Sequence, residues 1–218
     1  MVGNTIQKTV TADNQNQAIR IRAIGEGADI CIFSGKKYEG KSYLAKKLLA
    51  TVSAYLIWDE QREHGDIATV THDLRQIVTL WNGGTKKISY QPIDKTKHNF
   101  RMFCKIAQQL TNAVIMVEEI RLYQDGKNLV PEFKRLLDSG RFRGLGIWTT
   151  SRRMHGIPVD LPYNADHIFV FKQYRPEDLD YLSKFMDGEK VQQLPTLEKY
   201  WFLHYIGDTG TTEIHKPV

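Results

Sequence analysis

Apolar residues along this chain follow two periods, and the two alternate. Unbroken runs recur at Ile30-Cys31-Ile32-Phe33, Tyr55-Leu56-Ile57-Trp58, Ala113-Val114-Ile115-Met116-Val117 and Ile168-Phe169-Val170-Phe171. Each has the length of a strand, and an unbroken run predicts a strand covered on both faces, as in a parallel sheet. Between the runs, apolar residues return every three or four positions. Leu44, Leu48 and Leu49 mark a helix after Lys41. Leu74, Ile77, Val78 and Trp81 mark a second over 71–81, stopped by Asn82-Gly83-Gly84. Phe100, Phe103, Ile106, Ala107 and Leu110 mark a third over 99–110. A fourth is expected over 130–139, with Pro131 in its first turn and Gly140 at its end, and a fifth opens at Pro176 and runs over 176–186. Strands are expected over 53–58, 87–91, 144–150, 166–171 and 200–205. Strands alternating with helices at this spacing predict βαβ units: an α/β fold with a mainly parallel central sheet flanked by helices. Residues 1–20, rich in Asn, Gln and Thr, break the pattern. They read as a polar N-terminal arm, or one edge strand, ahead of a single domain over 21–218.

Composition narrows the class without naming a task. A chain of 218 residues, 41% hydrophobic and 25% charged, is ample for one globular α/β core. The formal net charge of +5 tolerates a polyanionic partner but does not demand one. No apolar run approaches the roughly 20 residues of a membrane span, so no stable span is expected. Residues 1–16 lack the apolar stretch of a signal peptide. Cys31 and Cys104 sit inside apolar patterns and read as core residues of a reducing compartment. The seven histidines form no HxxxH-type cluster and read as surface or core residues. No zinc spacing, helix-turn-helix or base-reading motif is present.

Chemistry enters between the first run and the first helix, at Gly35-x-x-x-x-Gly40-Lys41-Ser42. Its bland reading is a glycine-bearing turn. Its sharper reading is a phosphate-binding loop, because the strand-loop-helix context is the one the mechanism needs. Glycines let successive backbone N–H groups point at an anion, and the following helix adds its positive end. The segment Gly35, Lys36, Lys37, Tyr38, Glu39, Gly40, Lys41 and Ser42 would then hold a nucleoside triphosphate such as ATP. Lys41 reaches the outer phosphates and the Ser42 hydroxyl holds Mg²⁺.

A second candidate follows the run that ends at Val117. Glu118 and Glu119 stand at the C-terminal end of a buried strand, where ligands bind in doubly wound sheets. Glu118 is assigned to the metal and Glu119 to the attacking water. By themselves the two acids would read equally well as a solvated pair. After a phosphate loop they favour hydrolysis over phosphorylation of a small acceptor, which needs no water-activating glutamate there.

Four stretches together resemble the FtsK/HerA branch of RecA-like (ASCE) P-loop NTPases, especially the short viral genome-packaging ATPases. They are Gly35 to Ser42, Ile115 to Glu119, Gly140 to Arg152 (GRFRGLGIWTTSR) and Asn164 to Phe171 (NADHIFVF), within a resemblance that runs over 21–208. The resemblance implies a trans-acting arginine, Arg141 or Arg143, and a γ-phosphate sensor at Thr150 and Ser151. This chain has Ser151 where that branch has glutamine and Glu118 where aspartate is usual, so sensing is either lost at Ser151 or moved to Arg152.

The activity implied is an ATPase that translocates double-stranded DNA without regard to sequence. It would use ATP and Mg²⁺, act as a homo-oligomeric ring of five or six, and load a genome into a capsid through a capsid or portal-vertex protein. Its place would be the cytoplasm of an infected host cell, and also the virion. DNA-binding candidates are Arg121 and Lys127, in the loop after Glu119, first, and the basic pair Lys86 and Lys87 second. Two other readings stay open: a cellular HerA-type helicase or conjugation ATPase, whose extra domains 218 residues leave no room for, and a non-motor P-loop switch.

Overall fold

The unbroken apolar runs form the middle of one sheet. The computed structural model describes residues 7–14 and 17–218. The chain opens with the strands β1 (Lys8–Asn14) and β2 (Gln17–Ile24), then β3 (Ile30–Ser34) and the helix α1 (Lys41–Ala50). Next come β4 (Tyr55–Trp58), β5 (Thr69–Thr71), α2 (Leu74–Asn82), β6 (Lys87–Tyr90), α3 (Lys97–Ala107) and β7 (Val114–Val117). A 3₁₀ turn at Ile120–Tyr123 leads to the short hairpin β8 (Gln124–Asp125) and β9 (Asn128–Leu129). The chain continues through α4 (Pro131–Ser139), a second 3₁₀ turn at Gly140–Arg143, β10 (Gly146–Ser151), α5 (Asp160–Asn164) and β11 (His167–Phe171). It closes with α6 (Pro176–Leu182), α7 (Gly188–Val191), β12 (Phe202–Ile206) and β13 (Thr211–His215).

The nine-stranded sheet runs β13-β12-β11-β3-β10-β7-β4-β6-β5. It is parallel from β11 to β5, and β12 and β13 continue it as antiparallel neighbours. Successive side chains of a strand face opposite ways, and here both faces are covered. Ile30 and Ile32 pack in a layer with Ile77 of α2, Phe100 and Phe103 of α3, and Phe133 and Leu136 of α4. Cys31 and Phe33 pack in the opposite layer with Leu44, Leu48 and Leu49 of α1. Trp58 at the end of β4 anchors the first layer, meeting Phe100, Phe103 and Tyr123 edge-on at 5.1, 5.3 and 5.0 Å. Cys31 and Cys104 are both buried free thiols, as their apolar surroundings suggest.

The N-terminal stretch falls partly outside the described residues, at 1–6 and 15–16. Its described part is the antiparallel hairpin of β1 and β2, whose Val10, Ala12, Ile19 and Ile21 pack beside α1. The hairpin thus covers a face of the sheet alongside α1.

Boundaries moved where capping decides them. The third helix begins at Lys97 rather than 99, because the Thr96 side chain accepts the Asn99 N–H. The second begins at Leu74, because Asp73 accepts the Arg75 N–H. The fifth stops at Leu182, short of 186, and gives way to α7.

Candidate active site

The segment between β3 and α1 is shaped by its glycines. Gly35 has φ +148, and a Cβ there would lie 2.6 Å from the Phe171 Cβ. Gly40 has φ +109, with the Phe171 ring 3.0 Å from where its Cβ would be. Only glycine lets the loop lie this close to β11. The Gly35 and Lys36 amides donate to the carbonyls of Ser151 and Lys172, tying the loop's start to the sheet. Lys41 at the head of α1 is 8% exposed and bends back to donate to the Lys36 carbonyl at 3.2 Å. Burial pushes its ammonium pKa down, and the neighbouring Glu119, Glu63 and Glu118 counter that. The loop is thus held against β11, where a side chain at either glycine would collide with Phe171.

The two acids after β7 have different surroundings. Glu118 is 2% exposed, and both its oxygens are engaged: Oε1 accepts from His64 Nε2 at 3.0 Å and Oε2 from the Gln61 N–H at 2.9 Å. Burial raises its pKa, and these two bonds pull the other way. Glu119 turns into the left-handed region with φ 50. Its N–H donates to the Thr150 hydroxyl at 3.1 Å and its Oε1 accepts from Arg152 Nε at 2.9 Å. A left-handed glutamate is unfavourable by itself, and such conformations persist where the surroundings enforce them.

Below Glu118 lies Asp59, 0% exposed. Its two oxygens accept from the Glu63 and His64 amides, the Ser89 hydroxyl and the Gln91 side chain. Burial would raise this carboxyl, but the bonds from Ser89, Glu63 and His64 and the nearby His64 ring hold it below the usual range. Asp59 therefore fixes the loop that carries Gln61 and His64, and those two fix Glu118.

Lys41, Ser42, Glu118, Glu119, Thr150 and Arg152 line one cavity of about 260 Å³, with Lys37, Tyr38 and Gly40 at its edge. The donor set fits a magnesium ion, which takes oxygen ligands: the Ser42 hydroxyl and the Glu118 carboxylate face the same space. Ser151 is buried and donates its hydroxyl to the Arg153 carbonyl, outside this lining. Of the sensor candidates, Thr150 and Arg152 reach the cavity.

Comparison with solved structures bears on this geometry. The genome packaging NTPase B204 from Sulfolobus turreted icosahedral virus 2, in complex with AMPPCP, superposes with a TM-score of 0.75. It is 24% identical and is matched over 87% of this chain and 98% of its own. VirB4 of Thermoanaerobacter pseudethanolicus gives 0.68 at 11% identity, over 100% and 97%. The pCW3 conjugation coupling protein TcpA, with ATPγS, gives 0.57 at 14%, over 95% and 64%. The fold is that of the RecA-like P-loop ATPases. The resemblance read from the four sequence stretches is thereby met by structures of that type. No protein-family profile matches the sequence, and no curated protein matches it.

In this P-loop ATPase fold the remaining candidates do not all gather at the cavity. Arg141 and Arg143 precede β10, while Thr150 and Ser151 end it, so the two sets stand at opposite ends of a six-residue strand. That is about 20 Å at the usual rise per residue. Arg141 pairs with Asp166 and donates to the Asn164 carbonyl; Arg143 donates to the Leu110 carbonyl. Arg121 and Lys127 follow β7 at the nucleotide end, Arg121 packed against Gly156 and Lys127 exposed in the turn between β8 and β9. Lys86 and Lys87 enter β6 at the other end, over the Trp81 and Tyr55 rings.

Sequence reasoning passed over Asp59, Gln61 and His64. The segment 61–65 reads as a charged loop, and no local pattern signals that its histidine meets a glutamate 54 positions later. The one available hint was Asp59 itself, an acid directly after a buried strand, like Glu118.

Proposed function

We propose that this protein is an ATP-hydrolysing motor that moves double-stranded DNA, of the kind that packages a viral genome into a capsid. One observation carries the reading: two adjacent carboxylates face the phosphate cradle, one braced by His64 and Gln61, the other aimed by a left-handed backbone. A switch protein needs the cradle; a separately aimed second carboxylate serves hydrolysis.

In this mechanism Lys41 and the loop amides from Lys37 onward hold the β- and γ-phosphates. The apolar cavity of about 400 Å³ beside Gly40, lined by Tyr43, Phe171, Tyr200 and Phe202, seats the base. Ser42 and Glu118 would hold Mg²⁺, which neutralises charge developing on the transferred phosphoryl group. Glu119 orients the attacking water and accepts its proton. Arg152 takes the sensing role: drawn to the γ-phosphate, it releases Glu119 toward the water. Arg141 or Arg143 completes the site of a neighbouring copy, which makes the working form a ring of five or six. Arg121 and Lys127, on loops at the nucleotide end, contact DNA phosphates. The setting is the cytoplasm of an infected host, with a capsid or portal-vertex protein as docking partner. Among the described residues no helix is long and apolar enough to cross a membrane.

The test is ATP turnover with and without duplex DNA across a salt series. Stimulation that fades with salt is the expected result, because phosphate contacts weaken steeply with ionic strength. Hydrolysis indifferent to DNA would favour an ATP-dependent switch, and no hydrolysis under either condition would remove the enzyme reading altogether.

A further inference from the structure

Far from the phosphate loop, the antiparallel extension of the sheet holds a second polar cluster. His204 on β12 pairs across the sheet with Glu213 on β13, and His215 follows two residues later, so all three side chains share one face. One nitrogen of each imidazole and one Glu213 oxygen all lie within 4.8 Å of one another. The histidines are 2% and 1% exposed. The Glu213 side chain is 35% exposed, so the cluster opens to solvent on that side alone.

A chain of hydrogen bonds lies behind the cluster. His167 Nε2 donates to Asp29 Oδ2 at 3.2 Å. His167 Nδ1 and His204 Nε2 share a hydrogen bond at 3.0 Å. His204 Nδ1 is buried and without a hydrogen-bond partner among the described residues. Buried polar atoms are rarely left this way.

We propose that His204, Glu213 and His215 bind a divalent transition-metal ion, zinc by the chemistry of the set. Two imidazoles and one carboxylate are a zinc donor set, with the fourth position left for water. The 3.2 Å between His215 Nε2 and a Glu213 oxygen is close to the roughly 3.3 Å that tetrahedral zinc requires between ligands. The relay through His204 and His167 to Asp29 is the outer support that metal-bound histidines characteristically have. The ion would clamp β13, the edge strand, to β12. The other cluster of this kind, Asp59, His64 and Glu118, is different: the Asp59 oxygens already accept four bonds.

The test uses the whole chain, stripped with chelator, free of nucleotide and titrated with Zn²⁺ alone. Calorimetry should find one equivalent bound, and thermal denaturation should shift upward. Co²⁺ in its place should show the visible absorption of a four-coordinate ion. Glu213→Gln, half-exposed and mild to the fold, and His204→Gln should each weaken zinc binding by about tenfold to a hundredfold. His64→Gln should leave it unchanged. A wild-type chain that takes up no zinc, or variants at Glu213 and His204 that bind as wild type does, would overturn the site. So would loss of zinc in His64→Gln. None of these outcomes bears on ATP turnover, which stands or falls separately.

Discussion

The two ends of the central sheet are built to opposite rules. Where β3, β7 and β10 finish, charge is enclosed: Asp59 is 0%, Glu118 2% and Lys41 8% exposed. Where β10 and β11 begin, the surface is open. Phe142 is 91% and Tyr163 90% exposed beside Arg141, around a cleft of about 790 Å³. The enclosed end fixes its own geometry through buried hydrogen bonds and needs no outside partner to hold its carboxylates. The open end pairs its arginine with a local aspartate and leaves aromatic rings uncovered. Aromatic residues and arginine are the types enriched where proteins meet. The contrast is between one end whose charged groups are enclosed and held internally and another whose aromatic rings and arginine face solvent.

The strongest way to break that contrast is to ask whether the open end serves a neighbour's enclosed end. Arg141→Ala or Arg143→Ala, whichever holds the acting arginine, should lower turnover by about 10³–10⁵, the scale of an arginine acting on a phosphoryl transition state. Mixing that variant with Glu119→Gln chains should restore part of the activity, since each supplies what the other lacks. A freely exchanging mixture that stays dead would confine each site to one chain. Next in size, Glu119→Gln alone should keep ATP affinity and lose about 10²–10⁴ in turnover. Near-normal hydrolysis would take Glu119 out of the chemistry. His64→Gln tests whether the enclosed end depends on its bracing. It should cost about tenfold to a hundredfold in activity and raise the Mg²⁺ concentration needed, because His64 acts through Glu118. An unchanged Mg²⁺ dependence would reduce His64 to a packing residue. Smallest, Arg121→Ala with Lys127→Ala should weaken duplex binding equally for all sequences. The salt slope should flatten by about one unit per lost contact. If affinity and slope match the unaltered chain, the DNA surface lies elsewhere, with Lys86 and Lys87 next to try.

The central strands were legible because burial on both faces writes an unbroken apolar run, as at 30–33 and 113–117. The tight turn between β3 and α1 was legible because its glycines answer a local demand of the backbone. What escaped notice is non-local or edge structure. β5 is three residues with two exposed, and β13 alternates too weakly to read as a strand. The bracing of Glu118 joins loops far apart in sequence, so no window contains it. The histidines on β12 and β13 show no ligand spacing along the chain, because their proximity is created by strand pairing.

The contact between the phosphate loop and Phe171 has a mechanical consequence. Interiors packed to crystal density have little slack, and here two glycines of the loop rest against one residue of β11. A displacement of the loop toward β11 by even a few tenths of an ångström must therefore push that strand or be blocked by it. β11 is hydrogen-bonded along its length to β12, and β12 to β13. A push from the loop on Phe171 would be felt first by β11 and through its hydrogen bonds by the antiparallel extension. Stiffening that extension would raise the force needed to move the loop, and loosening it would lower that force.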